Sequence, residues 1–151
     1  MARDVLNISK YVIDKCCDEG KAISNLQLQK ILYYMQGMYL AVFNKPLFDD
    51  EIIAWKFGPA IPKVYYTYNK YIADDIYERC PDIFGLLNFS YAEQQIIDKI
   101  IEQKRELSAW QLVELTHKEE PWRKAYANNI SNIITQRSMK KHFIGEIEHS
   151  A

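Results

Sequence analysis

Three residues of this chain have types and spacing suited to proton transfer. His117 stands just ahead of Glu119 and Glu120, within the run Thr116-His117-Lys118-Glu119-Glu120-Pro121-Trp122. An imidazole near carboxylates is common equipment of general acid–base catalysis. A working site also needs a nucleophile or a stabiliser of developing charge, and none accompanies the pair. The weightier reading is structural: a histidine at a helix end bonds nearby backbone or a carboxylate and orders the corner before Pro121. No residue is therefore assigned as catalytic. His117, Pro121 and Trp122 are expected to form a rigid corner, with an enzyme built on His117, Glu119 and Glu120 kept as the weaker alternative.

Other chemistry finds less support. His117, His142 and His149 are too scattered to suggest a metal site, so no metal and no cofactor are expected. Five glycines without a cluster make no phosphate-cradling loop. Cys16 and Cys17 are adjacent, Cys80 is alone, and an odd count without CxxC fits a reducing cytoplasm rather than a disulfide framework. The cysteine pair is expected to pack in a helix, with nothing nearby to activate a thiolate. Arg137, Lys140 and Lys141 read as a solvated helix face.

Contact chemistry is better represented than catalysis. Trp55-Lys56-Phe57-Gly58-Pro59 joins a large amphipathic ring, a cation and a backbone that Gly58 lets others approach closely. It reads either as a packed corner or as a contact surface. Tyrosine, eleven times present, suits cores and contact surfaces alike.

These groups must be held by helices. The central one is predicted from Ser24, a cap with Gln27 three residues on as in a capping box, through Phe43. Leu28, Ile31, Leu32, Met35, Met38, Tyr39, Val42 and Phe43 recur at helical spacing, and Leu26, Tyr33 and Leu40 add a second row. A helix apolar on so much of its girth belongs at the hub of a fold. Gln27, Lys30, Tyr34, Gly37 and Ala41 form its narrow polar or small seam, where it could touch something other than the core.

Around the hub, Val5, Ile8, Val12, Ile13 and Cys16 predict a first helix ending near Gly20. Ile52–Phe57 is short and β-prone. Pro59 and Pro62 suit the first turn of a helix whose inner face is Ile61, Val64, Tyr65, Tyr68 and Ile72. Residues 74–88 read as a long acidic connection. Ser90 with Glu93 opens a helix carrying Ile96, Ile97, Ile100 and Ile101, and Ser108 caps a short one to Leu115. Residues 128–135 read as a loop, and Thr135 as cap of a last helix carrying Met139, Phe143 and Ile147. The expected class is all-α, about six helices in one domain over 1–151, with at most a short extended segment near 51–57.

Length and charge agree with a modest globular role. A chain of 151 residues can bury a real core, and a net charge of −1 offers no basic footprint for nucleic acid. Arg3 and Asp4 precede a charge-studded helix, so no signal peptide is expected. No apolar run approaches a membrane span, and no membrane partner is expected.

Taken together, four blocks resemble one family. LQLQKILYYMQGMYLA (Leu26–Ala41), PLF (Pro46–Phe48), AWKFGPAIPKVY (Ala54–Tyr65) and LTHKEEPW (Leu115–Trp122) look like the signature of the Panacea domain, the phage-associated family that includes SocA-like antitoxins. The likeness runs over roughly Ile8–Trp122 and is looser beyond, so residues 123–151 receive no role from it. It implies a mostly helical, non-enzymatic, cytoplasmic antitoxin that binds a separately encoded protein toxin. Some relatives resemble adaptors that deliver toxin to an ATP-dependent protease, which is the runner-up. A DNA-binding regulator is disfavoured by the charge and by the absence of a recognisable helix-turn-helix pair. On this reading Lys30, Tyr34, Gly37, Trp55, Lys56, Gly58, Pro59 and Tyr65 line the toxin-binding surface.

Overall fold

The hub helix is where the sequence puts it. In the computed structural model, which describes residues 2–150, helix α2 spans Asn25–Phe43. The outermost residues of the expected domain, at 1 and 151, lie outside that description. Ser24 Oγ accepts from the Gln27 amide, and the Gln27 side chain accepts from the Ser24 amide at 2.9 Å, so the capping box closes both ways. Leu28, Ile31, Leu32, Tyr33, Met35 and Tyr39 are buried. Val42 departs from the expected face and is 42% exposed, because the last turn emerges from the core before Asn44 ends the helix in the left-handed conformation.

The polar residues of α2 are also largely inside. Gln36 accepts from the Leu47 amide at 2.8 Å and donates to the Phe48 carbonyl at 2.7 Å. Gln29 accepts from the Ile61 amide at 2.8 Å, and Asn25 donates to the Tyr65 carbonyl at 3.0 Å. These amides satisfy buried backbone groups and fasten the following chain along the hub.

Helix α1, Val5–Asp18, is capped by Asp4 and buries the predicted Val5, Ile8, Val12, Ile13 and Cys16. Helix α3 is Pro62–Thr67, with Pro62 in its first turn. The 74–88 connection holds a short helix α4, Ile83–Leu87, and Ile76, whose amide bonds the Ile23 carbonyl. Helix α5, Tyr91–Lys104, starts at the Ser90–Glu93 box. Glu93 also receives Arg3 at 2.8 Å and the Tyr39 hydroxyl at 2.5 Å, which holds its carboxyl down near 2. Helix α6 is Ala109–His117, α7 is Glu120–Tyr126 with Pro121 in its first turn, and α8 is Gln136–Ser150, capped by Thr135.

The all-α expectation needs correcting in one respect. Among the described residues the fold carries eight α-helices and a small three-stranded antiparallel sheet. Strands β1 (Ile52–Trp55) and β2 (Gly58–Ala60) form a hairpin, and β3 (Ile133–Ile134) pairs with the other edge of β1. Residues 128–135 are therefore not all loop. Pro59 lies in β2 opposite Ala54, not in a helix; as an edge strand β2 tolerates a residue with no amide to donate.

Candidate functional site

The β1–β2 hairpin turns through Lys56 and Phe57, with Trp55 paired to Gly58. Gly58 has φ +105°, a region that disfavours other residues. A Cβ there would stand 2.7 Å from Lys30 Cε and 2.9 Å from Thr116 Oγ1. The hairpin is thus pressed onto α2 and α6 at a spacing that only glycine permits. Trp122 Nε1 on α7 donates to the Trp55 carbonyl at 2.8 Å and ties the hairpin down from a second side.

Above this base the aromatic groups spread outward. The Trp55 ring meets Tyr65 edge-on at 5.1 Å and Tyr66 at 6.3 Å. Phe57 at the hairpin tip meets Trp110 of α6 at 5.3 Å and 89°. Lys56 Nζ lies 5.5 Å from the Phe57 ring centre. Phe57, Tyr66 and Trp110 are 45%, 66% and 60% exposed. Edge-to-face pairs of large rings, held on a hairpin and two helices, present rigid apolar area at low entropic cost to a binding partner.

Of the residues assigned to a partner surface, the structure gathers Trp55, Lys56 and Tyr65 on this face, with Gly58 and Pro59 buried as its frame. Lys30 runs beneath it and is 1% exposed. Tyr34 and Gly37 are elsewhere, covered by α8: the Phe143 ring sits on Gly37 and meets Tyr34 at 5.8 Å. At Tyr34 and Gly37 the hub seam is filled by the chain's own last helix, and at Lys30 by the hairpin. Tyr66 and Trp110 escaped the sequence reading, and Phe57 entered it only as part of the Trp55–Pro59 segment. A signal existed for Trp110, which follows the Ser108 cap and lies off the Leu112–Val113–Thr116 inner face.

The corner is an aromatic stack. His117 lies on Trp122 at 3.9 Å and 19°, and Trp122 on Tyr126 at 4.5 Å and 15°. His117 makes no hydrogen bond or ion pair with Glu119 or Glu120 among the described residues. Glu119 instead turns inward. Its two oxygens accept from the Tyr33 hydroxyl at 3.0 Å and the Tyr34 hydroxyl at 2.9 Å. Burial lifts its carboxyl to about 7, against the pull of the two tyrosines. The geometry thus separates the imidazole from the carboxylates that sequence spacing set beside it.

Among the described residues no helix is long and apolar enough to cross a membrane. No solved structure matches the chain. Antitoxin SocA of Caulobacter vibrioides (strain NA1000 / CB15N) is 32% identical over 124 residues, an alignment covering 76% of this chain. The chain spans 65% of the length of that relative. The family described as antitoxin SocA-like, Panacea domain, matches residues 28–123, which hold the hub helix, the hairpin and the corner. On that match, over more than half its length, the chain belongs to the SocA-like antitoxin family of Panacea domains.

Proposed function

We propose that this protein is an antitoxin that binds and neutralises a separately encoded protein toxin through the hairpin face. The observation that carries the reading is the exposed Phe57–Trp110 pair, flanked by Tyr66 and Lys56, in a chain of an antitoxin family. Large rings exposed together and fixed in place are the usual anchors of protein interfaces. Trp55 and Tyr65 support the face from the side, and Lys30 and Gly58 from below.

The test begins with the adjacent reading frames. One of them should be toxic when expressed alone and harmless with this protein, and the two products should co-purify. Trp110→Ala and Phe57→Ala should fold with little change in melting temperature and bind the toxin roughly 10- to 1000-fold more weakly. Undiminished binding in both stable variants would place the toxin elsewhere.

A further inference from the structure

The acidic connection over residues 74–88 runs lengthwise along α1, in the opposite direction. Near the end of α1, Cys17 Sγ donates to the Ile76 carbonyl at 3.2 Å and Arg79 reaches Asp18 at 3.0 Å. Midway, the Cys80 amide donates to Asp14 at 2.8 Å and the Phe84 ring lies 6.1 Å from Tyr11. Before the start of α1, Arg3 donates to the Leu87 carbonyl at 2.9 Å. Ile76, Ile83 and Leu87 are buried beneath. A segment pinned along its whole length is ordered before any partner arrives.

Its outer side is apolar as well. Tyr77, Phe84 and Leu86 are 74%, 43% and 68% exposed. A segment that only closed the core over α1 would need Ile76, Ile83 and Leu87 and nothing apolar outside. Large apolar side chains exposed together with a polar rim mark an interaction surface.

The charge around them is one-sided. Arg79 is taken by Asp14 and Asp18, and Lys15 of α1 by Glu19 and Glu102. Glu78 has Lys70 at 3.7 Å. Asp74, Asp75 and Asp82 are exposed and enter no ion pair among the described residues. Lys10 is the one cation of α1 and the connection left outside such a pair among those residues.

We propose that the outer side of this connection docks a basic, apolar segment of a protein partner. Its apolar side chains would lie on Tyr77, Phe84 and Leu86, and its lysines or arginines opposite Asp74, Asp75 and Asp82. The apolar groups supply contact area, and the acids on the rim steer and select. A second copy offering the same face is refused by like charge. The site uses neither Phe57 nor Trp110 and stands apart from the toxin reading of the hairpin face.

The experiment adds three capped peptides to the full chain: an amphipathic leucine–lysine helix, the same helix with glutamine for lysine, and a leucine–lysine peptide of the same composition in scrambled order. NMR shifts of the Tyr77 and Phe84 rings and the Leu86 methyls report binding. The lysine helix should bind about tenfold better than either control, and more weakly as salt is raised. Leu86→Ser, and the triple change Asp74→Asn, Asp75→Asn and Asp82→Asn, alter exposed side chains. Both proteins should keep the parent melting temperature and bind the lysine helix about fivefold more weakly or worse. Phe57→Ala should bind it as the parent does. Equal binding of the glutamine helix or of the scrambled peptide would overturn the assignment. So would undiminished binding by stable Leu86→Ser, or loss of binding in Phe57→Ala. Self-association in sedimentation that Leu86→Ser abolishes would overturn it in favour of a second copy.

Discussion

Gly37 lies directly beneath the Phe143 ring: a Cβ on Gly37 would stand 2.1 Å from Phe143 Cε2. This explains a glycine in mid-helix, where alanine would be favoured by about 1 kcal/mol. The ring is itself held edge-on by Tyr33 at 5.6 Å and Tyr34 at 5.8 Å, so it has little freedom to withdraw. Overpacking should therefore outweigh propensity. Gly37→Ala is expected to destabilise by about 1–3 kcal/mol in denaturant unfolding. Phe143→Leu should recover part of that loss, giving a coupling energy in the double-mutant cycle. Additive losses would show that α8 does not rest on Gly37.

Glu119 should make stability fall as pH rises through the weakly acidic range. Its carboxyl sits at about 7 in the fold against 4.5 ordinarily. Below 4.5 both states hold the proton and the group contributes nothing. Between 4.5 and 7 the folded state keeps a proton that the unfolded chain has lost, so each step up in pH destabilises. Above 7 the penalty is complete, on the order of 3 kcal/mol. His142, held below its ordinary value by burial, acts in the opposite sense nearby, so the measure is the difference between parent and Glu119→Gln. That difference should grow from pH 4.5 to 7 and then level. A constant difference would mean that Glu119 is ionised throughout.

Ile72 stores strain at the surface. It is 83% exposed and has φ +57°, ψ −112°, a conformation that a β-branched residue adopts only at a cost. The sequence placed it on the buried face of α3, since it continues the spacing of Val64 and Tyr68. Because the helix stops at Thr67, that spacing no longer applies. Ile72→Gly should raise stability by about 1 kcal/mol, the relief of strain outweighing the added freedom of the unfolded chain. A lower melting temperature would show that the Ile72 side chain is held by contacts.

What the sequence showed of this fold follows from the range of the forces involved. Caps at Ser24, Ser90, Ser108 and Thr135 act within one helical turn, and each was legible. The inward rows of α1 and α2 repeat often enough to leave a clear period. Strand β3 offers only Ile133 and Ile134, and what makes them a strand is β1, far away in the chain. Helix α4 is five residues long and leaves no period either. The candidate face was half legible. Trp55, Lys56 and Gly58 announced themselves by type, whereas the Phe57–Trp110 pair exists only once α6 packs beside the hairpin. Lys30 and Tyr34 were placed at the surface because polar character was equated with exposure, and Phe143, which helps to bury the seam, lies in a stretch with no assigned role.

Lys30 supplies the sharpest test of whether the hairpin face was shaped for binding or for packing. Its side chain passes under Gly58, and among the described residues no carboxylate lies within ion-pair distance. Burial alone pushes the ammonium down to about 7 from 10.5. Below pH 7 both states are charged and the fold bears the whole cost of burying the cation. Between 7 and 10.5 the unfolded chain holds a proton that the folded state has shed, so stability rises with pH; above 10.5 the cost is gone. This window begins where that of Glu119 ends, so the two can be read apart in one titration. Lys30→Met keeps the stem and removes the charge, and should stabilise by a few kcal/mol at pH 6 with the gain vanishing toward pH 10.5. A gain that ignores pH would show that the amine is not desolvated. Stability given up at a fixed position is commonly retained for function. The stabilised variant should accordingly bind the toxin at least tenfold more weakly, because the side chain that supports the hairpin turn from below has lost its charged head. Unchanged toxin affinity in a more stable Lys30→Met protein would remove Lys30 from the hairpin face and leave its aromatic groups to act without it.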